Sequence, residues 1–137
     1  QISKGADVIF TAAGNSGLGA FDAAEEMGRD ANGRATHFVI GVDSNQNYLH
    51  PGSVLTSMVK RVDLAVYNAY NDTKNDKFTG GVQALGVKED GVGAAIDEHN
   101  KSLITPEMQA AVDKAKADII AGTVKVHDYT SDNACPK

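Results

Sequence analysis

The chain has few of the residues that would point to a disulfide-stabilised or metal-dependent protein. It contains one cysteine, no tryptophan and three prolines in 137 residues. A lone cysteine cannot form an internal disulfide, and Cys135 has no neighbours at the spacing of metal ligands. The four histidines include no pair four residues apart, as a zinc-binding helix would need. We therefore expect no metal, no cofactor and no catalytic residues of these classes.

The chain also lacks long apolar runs and an excess of positive charge. No stretch approaches the ~20 consecutive apolar residues of a transmembrane helix, and the first ten residues lack the apolar region of a signal peptide. Lys and Arg number 13 against 18 Asp and Glu, a net charge of −5. Because nucleic-acid binding needs clustered basic side chains, a nucleic-acid partner is not expected.

What the chain does have is a regular alternation of strand-like and helix-like segments. Three short apolar runs predict buried strands: 7–13, 37–43 and 54–60. Three segments with helical spacing predict helices: 18–28, 62–70 and 106–121. Thr105 is the expected N-cap of the last helix, with Pro106 at its first position. Alternating strands and helices of this kind favour an α/β fold with a largely parallel sheet.

The remaining segments give weaker predictions. Residues 71–81 read as a polar connection, and 82–98 as glycine-rich chain with short strand-like pieces. Residues 123–129 alternate and predict a terminal edge strand. Phe10 lies in the middle of the first strand, so we expect it in the core.

Three predicted strand ends carry polar or flexible residues. Ligands of open α/β sheets bind at the carboxyl ends of strands. If the strands are neighbours, the glycine-rich turn Gly14–Gly19, Asp43 and Lys60 share one crevice. A carboxylate accepts hydrogen bonds from vicinal hydroxyls, a lysine donates to the same group, and glycine lets backbone amides approach. This set suits a neutral hydroxylated ligand such as a nucleoside or a sugar.

Simpler explanations exist for each of these residues. The glycines could serve only positive φ angles and close helix–strand packing. Asp43 could cap a turn, and Lys60 could be an ordinary solvated lysine. A dinucleotide site is less favoured, because glycines at 14, 17 and 19 reverse the order of the G-x-G-x-x-G fingerprint. A Rossmann-type enzyme is therefore the weakest alternative.

Several motifs together resemble one family. "GADVIFTAAGNSGLGAFDAA", "IGVDSNQ" and "VLTSMVKRVDLAVYNAY" are similar, in order and spacing, to the C-terminal part of the basic membrane protein (BMP) family. "GVGAAIDEHN" and "DIIAGTVKV" extend the resemblance, which covers residues 4–126. These are PnrA-like substrate-binding lipoproteins of ABC transporters. The resemblance implies a type I periplasmic-binding-protein fold, in which two α/β lobes close on a ligand.

The resemblance also implies ligand-binding residues. Asp43 of "GVD" and Lys60 of "SMVK" correspond to residues expected at the ribose of a purine nucleoside. Gly14, Asn15 and Gly17 would lie against the ligand. The family's turn often reads Gly-Gly-x-Gly, so Asn15 departs from the pattern. The implied function is nucleoside uptake without catalysis, and the alternatives are a ligand-sensing regulator or a sugar-binding protein of the same fold.

The resemblance predicts how the chain is organised and where the protein works. Residues 1–137 would be the C-terminal portion of the binding domain, with 1–77 as the core of the second lobe and 78–137 as hinge-crossing and C-terminal elements. The N-terminal lobe and a lipid anchor would precede Gln1. The expected location is the cell surface or periplasm, beside an ABC permease. The base preference, the permease and the oligomeric state are not encoded in these residues, although an isolated fragment is expected to self-associate.

Overall fold

The computed structural model describes residues 1–135 and divides the chain into two units, Gln1–Thr105 and Pro106–Lys137. The first unit contains one sheet of four strands: β1 (Val8–Phe10), β2 (Phe38–Asp43), β3 (Val54–Lys60) and β4 (Val92–Ala94). It also contains two α-helices and two short 3-10 segments: α1 (Leu18–Glu26), α2 (Val62–Lys74), Ile2–Lys4 and Gly14–Gly17. The second unit contains two helices: α3 (Pro106–Ile120) and α4 (Tyr129–Asp132).

The sheet has the strand order β1-β2-β3-β4. Strands β1, β2 and β3 run parallel, whereas β4 pairs antiparallel with β3. The predicted α/β fold with a mostly parallel sheet is confirmed, and the predicted second and third strands agree with β2 and β3 almost residue for residue. Parallel pairing brings the carboxyl ends of three successive strands to one edge of the sheet, where the predicted site residues lie.

The core forms where α1 packs on the centre of the sheet. Phe21 and Ala24 of α1 cluster with Val39 of β2 and Val54 of β3, and all four are buried. Fully burying one Val or Phe side chain stabilises the fold by about 1.5–3 kcal/mol. This cluster fixes the direction in which the chain leaves β1, enters α1 and returns to β2.

Two burial predictions are wrong. Phe10, expected in the core, is 51% exposed, and Val8 is 41% exposed. Strand β1 is therefore not buried on both faces. The reason is the alternation of side chains along the strand: Ile9 packs against the core cluster, whereas Val8 and Phe10 lie on the opposite face of β1. An apolar run can show that a strand is suited to burial, but it cannot show what covers it.

Two segment predictions also need correction. Helix α2 continues to Lys74, so it includes the first four residues of the segment 71–81 that was predicted to be a polar connection. Its polar last turn is stabilised by Thr73 Oγ1, which donates to the Ala69 carbonyl, and by Asn75 Nδ2, which donates to the Asn71 carbonyl.

The predicted edge strand over 123–129 is absent from the described structure. After α3, the backbone amides of Thr123 and Val124 donate back to the Asp118 carbonyl. The chain then enters the short helix α4, whose N-cap Asp128 accepts from the Thr130 amide. Residues 123–129 pair with none of the strands of the described chain, so their alternation has no sheet to join.

Among residues 1–135, no helix is both long enough and apolar enough to span a bilayer.

Candidate functional site

Asp43 and Lys60 lie side by side at the carboxyl ends of β2 and β3. The strand register pairs Asp43 with Val59, which places Lys60 one residue further along. Lys60 Nζ lies 2.7 Å from Asp43 Oδ1, and the two side chains are 56% and 52% exposed. The structure therefore brings together these two predicted site residues. Both side chains keep enough free surface to contact a ligand.

The backbone of Asp43 is unusual. Its φ angle is +70°, in the left-handed region that residues other than glycine seldom adopt. The Ser44 amide donates to the Val42 carbonyl at 2.9 Å, so Asp43 occupies the middle of a very tight turn. A conformation of this kind persists only where the surrounding contacts enforce it, and such positions cluster at binding sites.

Residues 43–47, here called the β2 turn, are held by side-chain hydrogen bonds. Gln46 Oε1 accepts from the Val42 amide at 2.9 Å, so this side chain spans Asp43. The Gln46 amide donates to Ser57 Oγ at 3.0 Å, on the neighbouring strand. Gly41 makes room for both groups, because a Cβ there would lie 2.7 Å from Gln46 Oε1 and 2.8 Å from Ser57 Oγ.

A second set of contacts connects the β2 turn to residues that follow β4. Asn45 Nδ2 and Asn47 Nδ2 both donate to Asp97 Oδ2, at 2.7 and 2.9 Å. Ser57 Oγ donates to Asn47 Oδ1 at 2.8 Å, and both of these residues are fully buried. The polar network thus extends from the exposed Asn45 of the β2 turn inward to the buried Asn47 and Ser57.

The surroundings of Asp97 favour the ionised form of its carboxyl group, which accepts the hydrogen bonds of this network. The hydrogen bond from Asn45 lowers the pKa of Asp97 most, and the His99 amide and the Asn47 side chain lower it further. Partial burial opposes this shift but does not reverse it. The group is therefore ionised at neutral pH and accepts these bonds as a carboxylate, which makes them stronger than bonds between neutral groups.

The sequence analysis did not predict this hydrogen-bond network, although its residues stand in two recognisable clusters. "SNQN" after β2 and "DEHN" after β4 are short polar clusters directly beside apolar strands. Polar clusters of this kind are common in surface loops, so composition alone does not separate a buried network from solvated chain.

The glycine-rich segment after β1 differs in construction. Residues 11–17, here called the β1 turn, include Gly14 with φ +52° and Gly17, which is buried. A Cβ on Gly17 would lie 2.9 Å from Thr11 Cβ. Thr11 Oγ1 in turn donates to the Ile40 carbonyl at 3.0 Å. The local backbone and packing therefore explain why glycine stands at positions 14 and 17. A ligand contact by Gly14, Asn15 or Gly17 stays a prediction.

An open groove lies beside the β1 turn. It has a volume of about 590 Å³, and its lining includes Phe10, Ser16 and Gly17 but neither Asp43 nor Lys60. The 3-10 segment Gly14–Gly17 also contacts β2. The described chain thus offers an open edge of strand ends rather than an enclosed cavity.

Within residues 1–135, no three His, Cys, Asp or Glu side chains are arranged to hold a metal ion. The exposed Cys135 forms no disulfide.

Comparison with known proteins points to binding proteins. The family described as ABC transporter substrate-binding protein PnrA-like matches residues 1–130. Basic membrane protein D of Borreliella burgdorferi is 39% identical over 127 residues, which are 89% of this chain and 34% of that protein. The ABC transporter nucleoside-binding protein BmpA of Lactococcus lactis is 35% identical over 133 residues, 90% of this chain and 36% of that protein. The chain therefore spans about a third of the length of these curated relatives.

Solved structures agree with this assignment. An ABC transporter solute-binding protein from Aeropyrum pernix has a TM-score of 0.69 at 28% identity, over 95% of this chain and 43% of that chain. A transcriptional activator of the comK gene from Bacillus halodurans has a TM-score of 0.73 at 19% identity, over 92% and 41%. The second likeness shows the fold alone. The resemblance inferred from the motifs is confirmed, and the family is one of substrate-binding proteins rather than enzymes.

Proposed function

The chain belongs to the family of PnrA-like substrate-binding proteins of ABC transporters, and on that premise we propose that it supplies one wall of a purine nucleoside site. The observation that carries the proposal is the Asp43–Lys60 pair at neighbouring strand ends, 2.7 Å apart and half exposed. The name of the Lactococcus lactis relative, a nucleoside-binding protein, supports the choice of ligand.

The chemistry of the pair suits the two adjacent hydroxyls of ribose. The two carboxylate oxygens of Asp43 can accept hydrogen bonds from both hydroxyl groups, and the Lys60 ammonium can donate a hydrogen bond to a hydroxyl oxygen. The two groups form an ion pair in which each neutralises the charge of the other. A neutral ligand can therefore enter without bringing a charge of its own, and the pair is expected to remain in contact while it binds.

The β1 turn is the proposed second contact. Asn15 and Gly14 are exposed, and Gly17 borders the open groove. No side chain caps the start of α1 at its N-cap position, Gly17, and the Leu18 amide donates to the Asn15 carbonyl. We expect Gly14, Asn15 and Gly17 to lie along the sugar or base, while the rest of the site comes from outside this chain.

The proposed setting is the outside of the cell. Relatives in Pyrococcus are named as lipoproteins, and the family as a whole is named for ABC transporters. We infer a lipid-anchored receptor at the cell surface or in the periplasm that passes its ligand to a permease. The predicted self-association of the isolated chain fits the exposed stripe of Val62, Val66 and Tyr70 on α2. Sedimentation of residues 1–137 that shows only monomer would count against it.

The test is calorimetric titration of the full-length protein that contains this chain, using inosine, guanosine, adenosine and ribose. Asp43→Ala is expected to weaken nucleoside binding at least about 100-fold, because it removes an ionised acceptor from a hydroxyl-binding site. Lys60→Ala should weaken it about tenfold. Lys114→Ala is the matched control, since it removes an exposed lysine–aspartate ion pair, with Asp118 at 2.6 Å, that lies on helix α3 and not at a strand end.

The outcomes separate two ligands. Nucleosides bound much more tightly than ribose, with the loss confined to the Asp43 and Lys60 variants, would support the nucleoside receptor. Ribose bound as tightly as the nucleosides would favour the second candidate, a sugar-binding protein, because Asp43 and Lys60 contact hydroxyls and not bases. Absence of binding to all four compounds would contradict the proposal.

A further inference from the structure

The β2 turn holds Asp43 in its strained backbone conformation, and the role assigned to this turn in ligand binding rests on the proposed function. We propose that Asp97 is a positioning residue for Asp43. Asp97 binds the side chains of Asn45 and Asn47, which flank Gln46, and Gln46 closes the turn in which Asp43 lies. We call Asn45, Asn47 and Asp97 the carboxylate clasp.

The first step is the closure of the turn by Gln46. Its side-chain oxygen accepts from the Val42 amide, the last amide before Asp43, at 2.9 Å. Its own amide donates to Ser57 Oγ at 3.0 Å. Gln46 is thus joined to the strand before Asp43 and to the neighbouring strand, so its backbone position decides where the Asp43 turn closes.

The second step is the hold on Gln46 from both sides. Asp97 Oδ2 accepts from Asn45 Nδ2 at 2.7 Å and from Asn47 Nδ2 at 2.9 Å. The Asn47 amide also donates to Asn45 Oδ1 at 3.0 Å, which ties the two asparagines to each other. One carboxylate oxygen therefore fixes the residues immediately before and after Gln46.

The third step is that Asp97 is itself held firmly. Its second oxygen accepts from the His99 amide at 2.8 Å, and its own amide donates to Asn100 Oδ1 at 2.8 Å. Asn100 is fully buried and its Nδ2 donates to the carbonyls of Leu55 and Ala95, both at 2.9 Å. The clasp is therefore anchored on β3 and on the chain that follows β4.

The consequence for binding is preorganisation. A residue with φ +70° relaxes to an ordinary conformation when its surroundings loosen. If the binding-competent conformation is only partly populated, the apparent affinity falls by that fraction. Asp97 thus acts on the ligand through Asp43, without touching the ligand itself.

The experiment is Asp97→Asn in the full-length protein that contains this chain. The substitution keeps the volume of the side chain but replaces one acceptor oxygen by a donor. Whichever way the new amide is turned, a donor faces either the two asparagine amides or the His99 amide. We expect the dissociation constant for guanosine or inosine to rise about tenfold, as for the loss of a charge-assisted hydrogen bond.

A double-mutant cycle then separates positioning from general destabilisation. Because Asp97 acts through Asp43, Asp97→Asn should change the dissociation constant by less than about twofold in an Asp43→Asn background. A full tenfold effect in that background would overturn the proposal. The exchanged pair Asn45→Asp with Asp97→Asn restores the carboxylate–amide bond to residue 45 but leaves Asn47 Nδ2 opposite a donor, so it should recover only part of the affinity.

Amide hydrogen exchange gives a readout that needs no ligand. In the Asp97→Asn protein, exchange at the Val42 and Gln46 amides should become about tenfold faster, whereas the Phe38 amide at the other end of β2 should be unchanged. Asp30→Asn is the matched control, because Asp30 also accepts amide hydrogen bonds in a turn, from the Asn32 and Arg34 backbone at 2.8 and 3.0 Å, but in the connection that precedes β2. Asp30→Asn should leave both the dissociation constant and the exchange rates of the Val42 and Gln46 amides unchanged.

The two proposals fail in different ways. Unchanged exchange at Val42 and Gln46 would overturn the clasp, whatever ligand the protein binds. Failure of the wild-type protein to bind any nucleoside or ribose would overturn the proposed function, and with it the effect of the clasp on binding.

Discussion

The β1 turn and the β2 turn stand at the same edge of one sheet, yet they are stabilised by different means. The β2 turn is closed by side chains, with Gln46 across Asp43 and Asp97 on both flanking asparagines. The β1 turn is held by the absence of a side chain, since Gly17 lies directly against Thr11. The first arrangement fixes an ionised side chain, and the second lets a helix start close to the sheet.

The largest effect should come from the buried part of the β2 turn. Asn47→Ala removes the partner of the Ser57 hydroxyl and one donor to Asp97 in a fully buried position. We expect the free energy of unfolding to fall by about 3 kcal/mol, because a buried polar group is left unsatisfied. Urea denaturation measures this loss.

Asn15→Ala in the β1 turn is the counterpart of that substitution. Asn15 is exposed, so the free energy of unfolding should change by no more than about 0.5 kcal/mol. Equal losses for Asn47→Ala and Asn15→Ala would contradict the difference described between the two turns.

The next effect tests packing in the β1 turn. Gly17→Ala would place a Cβ 2.9 Å from Thr11 Cβ and 3.0 Å from Thr11 Oγ1, and Thr11 is buried and hydrogen-bonded to β2. We expect a loss of about 2 kcal/mol, the usual cost of overpacking. Thermal unfolding followed by circular dichroism measures it.

Gly19→Ala is the matched control for Gly17→Ala. Nothing lies within 4 Å of the position that a Cβ would take at Gly19, which is in helix α1. Alanine is the better helix former, so the variant should be more stable by about 0.5–1 kcal/mol. If both variants were destabilised equally, close packing at Gly17 would not be the cause.

A smaller effect should separate stability from binding at Asp43. Glycine accepts φ +70° without steric cost, and the exposed ion pair with Lys60 contributes little to folding. Asp43→Gly should therefore raise the free energy of unfolding by about 0.5 kcal/mol while abolishing nucleoside binding. A variant that unfolds much more easily would show that Asp43 has a structural rather than a binding role.

The smallest effect is a dependence on pH. The pKa of Asp97 is lowered from its ordinary value of 3.8, chiefly by the hydrogen bond from Asn45. Its stabilising contribution is therefore complete above that value and is lost as the pH falls through the lower folded-state pKa. The difference in melting temperature between wild type and Asp97→Asn should narrow below about pH 3.8. A difference that stays constant down to about pH 3 would show that the carboxylate charge is not involved.

The parts of the fold that depend on local pattern could be predicted well. Strands β2 and β3 are largely apolar segments, and α1 follows its glycine turn directly, because periodicity and turn residues act within a few positions of one another. The pairing of Asp43 with Lys60 needed only one further assumption, that β2 and β3 are parallel neighbours. The function of the Asp43–Lys60 pair stays a prediction, as do the division at residue 77 and the ligand contacts of the β1 turn.

Other features were decided only by the tertiary structure. Phe10 is exposed because it lies on the face of β1 opposite Ile9, which packs against the core cluster, and residues 123–129 form no strand because they pair with none of the strands of the described chain.

The carboxylate clasp is the clearest example of a feature that sequence patterns cannot predict. Asp97 lies 52 residues from Asn45 in the chain and meets it only because β4 runs antiparallel to β3, with the Ala95 amide donating to the Ser57 carbonyl. The sequence by itself determined which strand ends carry a carboxylate, a lysine and a flexible turn, since those are local properties. Only the folded sheet decided which distant polar groups hold them, because hydrogen-bond partners are selected by proximity in space.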